Sequence, residues 1–184
     1  MQKHELSTKY SYFKQNKTVF AIAKYGKLSE QLIYSFLFVE NQNFDSNAIS
    51  SANAIGLMQI KQGTANDAII LANKSNLLSN FDKLLLITLL GNLKYNQIIN
   101  TKILGTNQVI KAKDLKNPEL NLLVGCIFLK VLSKECKGDL ATIGLRYYNG
   151  YFAFNHGKNI SADSLQNSAY VIKLQNKFNS FYHV

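Results

Sequence analysis

The chain has 184 residues, 47% of them hydrophobic and 11% aromatic, which is enough for one domain with its own core and excludes a disordered polar tail. Its net charge is +10, from 21 Lys+Arg against 11 Asp+Glu, with Arg146 the only arginine. That balance favours anionic partners. Proteins that read nucleic-acid bases lean on arginine for bidentate contacts, so a lysine surface fits loose attraction to an anionic polymer, or plain solvation, and no nucleic-acid partner is expected. His4, His156 and His183 are scattered and the two cysteines lack zinc-ligand spacing, so no metal is expected either.

Taken in chain order, residues 1–18 are polar and read as an N-terminal extension to a domain at 19–184. Residues 19–23 are too short an apolar stretch for a signal peptide. Ser29 is placed to cap a first strong helix, with Glu30 just inside where the dipole suits it and apolar residues at Leu32, Ile33, Phe36, Leu37 and Val39. Residues 41–54, rich in Asn, Asp and Ser, read as a loop. Residues 55–60 form a short apolar stretch in which Gly56 permits close backbone approach. Thr64 is expected to cap a helix running to about Lys74, and Ser79 or Asn80 another that continues through residues 84–95. Residues 104–117 read as a connection.

Asn117-Pro118-Glu119 combines a cap, a first-turn proline and an acid, a strong helix start. Leu120, Leu123, Val124, Ile127, Phe128 and Val131 follow at helical spacing. Gly138 is expected to end that helix, Asp139 to cap the next through about Tyr148, and a last helix to span residues 164–178. Cys126 and Cys136 fall on or just past one helix, where ten residues span about 15 Å. Bridged Cα atoms lie under about 7 Å apart, so no internal disulfide is expected. The best apolar run, 122–129, is far short of a membrane span. The fold class is all-α, without a linker or repeat.

Ile33, Phe36, Leu37 and Glu40 sit at i, i+3, i+4 and i+7, which puts the Glu40 carboxyl on the apolar stripe. A carboxyl so placed should hold its proton nearer neutral pH and can protonate a glycosidic oxygen. Alternatively the helix ends near Glu40 and its side chain bends into solvent.

Residues 50–60, Ser-Ser-Ala-Asn-Ala-Ile-Gly-Leu-Met-Gln-Ile, resemble the signature of the soluble lytic transglycosylase (SLT) domain, which shows Glu-Ser, a short loop, then Ser-x-x-Gly-Ala-x-Gly-Leu-Met-Gln. Gly-Leu-Met-Gln is intact at 56–59. The approach Ala23-Lys24-Tyr25-Gly26, the Asn117-Pro118 helix start with Asn121-x-x-x-Gly125, Tyr148-Asn149-Gly150 and Tyr170-Val171 are similar to further family blocks, in family order over roughly residues 20–175. Asn41 departs from the family Ser after the acid. The loop from Glu40 to Ser50 is one residue longer than usual, Asn53 replaces a frequent Gly, and one small residue is missing before Gly150.

The resemblance implies a lysozyme-like helical domain with a saccharide-binding cleft. It implies cleavage of the MurNAc–GlcNAc β-1,4 bond of peptidoglycan without water as nucleophile. Glu40 would be general acid and then general base, leaving a 1,6-anhydro end. Carried over residue by residue, Ser50 contacts sugar or braces the acid, Gln59 offers its amide to sugar or backbone, Met58 lies along the cleft wall, Tyr148 and Asn149 position Glu40 and the acetamido group, and Tyr170 closes the cleft near Glu40. No cofactor is implied. The implied setting is the periplasm or cell envelope, reached by a removed signal or another route. Peptidoglycan strands are the partner, and the chain is expected to be a monomer, accessory by association to a secretion or conjugation machine.

Three rival readings remain at this stage. A hydrolytic lysozyme of the same superfamily needs a second carboxylate to activate water, and Asp45 is the nearest acid in sequence, though it reads better as a loop or Asx-turn residue. Asp67, Asp114, Glu119 and Asp163 read as cap or surface positions. A non-catalytic wall-docking module would not need Glu40 beside an intact 56–59 motif. A nucleic-acid binder lacks any aromatic-basic motif of that kind.

Overall fold

The computed structural model describes residues 17–102, 104–105, 108–150 and 161–181, and over these the chain is helical, with isolated bridges in place of strands. The three histidines, and residues 1–16 of the expected extension, lie outside them. The helices are α1 (Lys17–Gly26), α2 (Glu30–Glu40), α3 (Gln62–Lys74), α4 (Asn80–Leu90), α5 (Asn92–Ile99), α6 (Ala112–Leu115), α7 (Pro118–Glu135), α8 (Leu140–Asn149), α9 (Ala162–Asn167) and α10 (Ala169–Ser180). None is long and apolar enough to cross a membrane.

Helix α7 is the axis of the fold. Every residue from Leu120 to Leu132 is buried, as expected of a helix enclosed on all sides. Helices α1, α3, α4, α6 and α8 pack against it, while α10 lies across α2 and α8. Asn117 starts α7 by accepting from the backbone N–H groups of Glu119 and Leu120 at 2.9 and 3.1 Å, ahead of Pro118. The helix ends one residue before Cys136. Gly138, at φ +80°, seals it from outside by donating its N–H to the Ser133 carbonyl at 2.9 Å. Cys126 is buried inside α7 and Cys136 half-buried at its cap, both as free thiols.

Ser29 caps α2 as expected, accepting from Leu32 N–H at 3.1 Å, and the seven residues from Ile33 to Val39 are all buried. Asp139 likewise caps α8 through Thr142 N–H at 2.8 Å. Four expectations are corrected. Thr64 lies within α3, whose first turn follows Lys61, a residue that makes no side-chain cap. The helix expected to run through residues 84–95 breaks at Gly91. With φ +83°, this glycine ends α4 and starts α5, a conformation that costs glycine little. The expected connection over 104–117 contains α6. The last helix is two, because the Ser168 hydroxyl caps a new start at Ala169 by accepting from Val171 N–H.

Two charged residues lie deeper than expected. Asp67 is buried and accepts from Gly105 N–H at 2.8 Å, which fastens the loop after α5 to α3. Lys130 is buried as well and donates to Asp82 at 2.6 Å. The same Asp82 oxygen completes a capping box with Ser79 at the start of α4. One carboxylate therefore both starts α4 and holds it to the central helix. Removing either partner would strand the other, at a cost of about 3–5 kcal/mol.

Candidate active site

The site grows from the segment between α2 and α3. Ile55 bridges both Ile49 and Ile60, folding residues 48–60 into a tight double turn. Gly56 adopts φ +74°, and a Cβ there would lie 2.6 Å from Asn121 Nδ2 and 2.9 Å from the Leu115 carbonyl, so only glycine fits. Asn121, fully buried on α7, reads this turn with its whole amide. Its Oδ1 accepts from Met58 N–H at 2.7 Å, while its Nδ2 donates to the Ile55 and Leu115 carbonyls at 2.7 and 3.0 Å. Asn41 ties the turn to the end of α2, donating to the Gly56 and Asp45 carbonyls at 3.2 and 2.7 Å. Asn41 stands where the resembled signature has Ser, and its longer amide clamps the turn. Asn53, standing where Gly is frequent, has φ +59°, and asparagine tolerates that left-handed region better than most residues.

Beside this turn lies a cavity of about 540 Å³, whose lining includes Glu40, Ser50, Gln59, Lys61, Thr64, Phe128, Tyr147, Tyr148 and Asn149. Glu40 is its one acid among the described residues. As the last residue of α2, Glu40 is half-buried and receives a hydrogen bond from the Tyr170 hydroxyl on its Oε1. Burial raises its carboxyl from 4.5 to about 7, while the Tyr170 bond and the Lys173 charge pull the other way. Lys173 stands one turn beyond Tyr170 on α10 and donates its ammonium to the Val39 carbonyl at 3.2 Å.

The expected site residues fall into different positions. Ser50 lines the cavity, with its hydroxyl accepting from Ala54 N–H at 3.1 Å. Gln59 also lines it, at φ +45°, and its amide donates to the Gly56 carbonyl at 2.9 Å. Tyr148 is 64% exposed at the rim, and its ring lies 4.9 Å from that of Tyr170. Asn149 lines the cavity too, but its amide donates back to the Leu145 carbonyl at 2.8 Å, not to Glu40.

Met58 is the correction. Its side chain is fully buried and packs where a Cβ on Gly125 would stand 2.7 Å from it, so it lies in the core behind the turn and forms no wall of the cavity. Asp45 is exposed and its carboxylate accepts from Asn47 N–H at 2.8 Å, the Asx-turn arrangement, outside the cavity lining.

Sequence reasoning missed Tyr147. It packs against Phe36 and Phe128 at centroid distances of 4.7 and 5.2 Å and donates its hydroxyl to the Met58 carbonyl at 2.7 Å. Burial and the Glu40 charge hold the hydroxyls of Tyr147 and Tyr170 well above their ordinary range, so both remain neutral donors. The signal was available: Tyr147 is four residues after Ile143 on the buried stripe of α8, and a buried tyrosine hydroxyl needs a partner. Phe128, read as core, also closes the floor of the cavity.

The family model of the transglycosylase SLT domain matches residues 17–82, from α1 through the cavity-forming turn into α4. The blocks at 117–125, 148–150 and 170–171 lie beyond the matched segment. No curated protein matches the chain.

Proposed function

We propose that the chain, with its SLT-type segment at 17–82, is a peptidoglycan lytic transglycosylase that cleaves the MurNAc–GlcNAc β-1,4 bond and leaves a 1,6-anhydro-MurNAc end. The observation that carries this reading is a solitary carboxyl, raised to about 7, on a cavity with no second acid among the described residues. An inverting or retaining hydrolase places two carboxyl groups about 5–10 Å apart across the scissile bond. In the proposed reaction one group performs both proton transfers.

Protonated Glu40 donates to the glycosidic oxygen as the C1–O bond breaks, and GlcNAc departs with that proton. The resulting carboxylate then takes the proton of the muramic C6 hydroxyl while O6 bonds to C1. Glu40 ends protonated, ready for another cycle, and no water is consumed. A carboxyl that titrates near neutrality is suited to such a cycle, because both forms are accessible at one pH. Tyr170 orients Oε1. Tyr148 offers an exposed aromatic face to a sugar, and Ser50, Gln59 and Asn149 supply polar edges to its hydroxyl and acetamido groups. Met58 acts from behind, through its packing on Gly125 and its carbonyl bond to Tyr147. A substrate of this kind places the work in the periplasm or cell envelope.

Digestion of purified peptidoglycan followed by product mass analysis tests the proposal. The expected products carry anhydro ends, which borohydride cannot reduce. Reducing muramic ends would assign hydrolysis, and an equal product yield from Glu40→Gln would remove the role of Glu40.

A further inference from the structure

We infer that Lys173 is a positioning residue for Glu40, holding the last turn of α2 by its Val39 carbonyl and supplying the cation that lets one carboxyl work in its ionised as well as its protonated state; this rests on the acid-then-base reading above.

Two features of the site favour the protonated form. Glu40 is largely withdrawn from water, and it is the last residue of α2, at the negative end of the helix dipole. Both help the acid step. Both oppose the base step, in which the carboxylate must persist long enough to accept a proton from the C6 hydroxyl. Something nearby has to stabilise the charge without abolishing the acid.

The described groups that face Glu40 are few. Helix α8 offers Tyr147 and Tyr148, α10 offers Tyr170 and Lys173, and Lys61 lines the same cavity at the start of α3. Burial holds Tyr147 and Tyr170 neutral. Of the two lysines, Lys173 is the one whose charge acts on Glu40. It projects from the same face of α10 as Tyr170, three residues on, and α10 packs along α2.

The placement of its ammonium is informative. Lys173 makes its hydrogen bond to the backbone oxygen of Val39 and forms no direct ion pair with Glu40. A contact pair would drag the carboxyl down into the ordinary range and remove the proton donor. From the Val39 carbonyl the cation offsets the negative helix end and stabilises the carboxylate through space. Tyr170 contributes the direct bond and Lys173 the charge.

The test uses the full chain with Lys173→Met, Lys173→Gln and Lys173→Arg. Two quantities are followed: the titration of the Glu40 carboxyl by carbon NMR, and the pH profile of anhydro-product release. Lys173→Met and Lys173→Gln should both move the Glu40 titration and the alkaline limb of the profile to higher pH. Each should lower kcat several-fold, up to about tenfold, the equivalent of about 1.4 kcal/mol. Lys173→Arg should restore both. Lys173→Gln keeps a donor for Val39 without the charge, so it reports the electrostatic part even if Lys173→Met folds poorly. An unchanged Glu40 titration in a folded Lys173→Gln protein, or a shift that Lys173→Arg fails to reverse, overturns the inference. Should the wild-type chain release no glycan product, the transglycosylase reading falls with it, while the NMR titration still decides whether Lys173 acts on Glu40.

Discussion

The two walls of the cavity are built differently. The wall at residues 48–60 is held by backbone and buried-amide bonds. Asn121 and Asn41 clamp it, Gly56 and Gly125 leave room for its neighbours, and the Tyr147 hydroxyl supports its carbonyl at Met58. The opposite wall, from α8 and α10, presents side chains. Tyr148 is exposed, Tyr170 is half-buried against Glu40, and the Asn149 amide donates to the Leu145 carbonyl of its own helix. A wall of fully paired buried groups tolerates little change, because each lost partner leaves an unsatisfied donor or acceptor. A wall of side chains on helix faces can vary in chemistry while the helices stay in place. Fixed geometry is concentrated around the turn, and recognition on the other side.

Substitutions can break this contrast, the largest effect first. Glu40→Gln should reduce product release by about 10²–10⁴-fold, the usual worth of a positioned general acid–base, measured as anhydro ends formed per unit time. Gly125→Val would drive a branched side chain into Met58, and Asn121→Leu would remove three hydrogen bonds to the buried turn, leaving the Met58 N–H without its side-chain acceptor. Each should cost about 3 kcal/mol or more, seen as a lowered Tm, with activity lost through unfolding. The Glu40→Gln protein should also be more stable than wild type at alkaline pH. The wild-type Glu40 carboxyl takes up a proton more readily in the folded chain, at about 7 against 4.5. The folded state therefore loses stability as pH rises from 4.5 to 7, and Gln removes that loss. The gain should be absent at pH 4 and reach roughly 3 kcal/mol at pH 8, read from Tm at the two pH values. Tyr148→Ala should change stability, read from Tm, by no more than about 0.5 kcal/mol and raise KM several-fold with less change in kcat. A Tm drop as large as that of Asn121→Leu would erase the distinction between the walls.

The fixed wall was the more legible in sequence. Its signature is local: Gly56 through Gln59 and the Ser29, Asn117 and Asp139 caps depend on residues within a few positions of one another. The phase of α2 placed Glu40 on the apolar stripe but left a solvent-facing side chain open, and the motif at 56–59 singled it out. What escaped depends on distant partners or on interruptions without an apolar signal. Met58 faces inward because Gly125, far along the chain, vacates space for it. Lys130 looked like one more surface lysine until Asp82, 48 residues away, was placed beside it. Leu89, Leu90 and Leu93 continue the hydrophobic character across Gly91, so the break there was invisible to periodicity. Tyr148 was selected through its motif, yet helical phase gives the inward position to Tyr147.

The sulfur atoms have a consequence for chemical durability. Met58 and Cys126 are fully buried, and burial pushes the Cys126 thiol up to about 12. Thiolate is the form that peroxides attack, and thioether oxidation needs access. The sulfur nearest the fixed wall and the sulfur inside the central helix are therefore shielded from oxidants together. Among the sulfurs of the described residues, damage should begin at half-buried Cys136, just past the end of α7, where a modified side chain would leave the geometry around Glu40 intact.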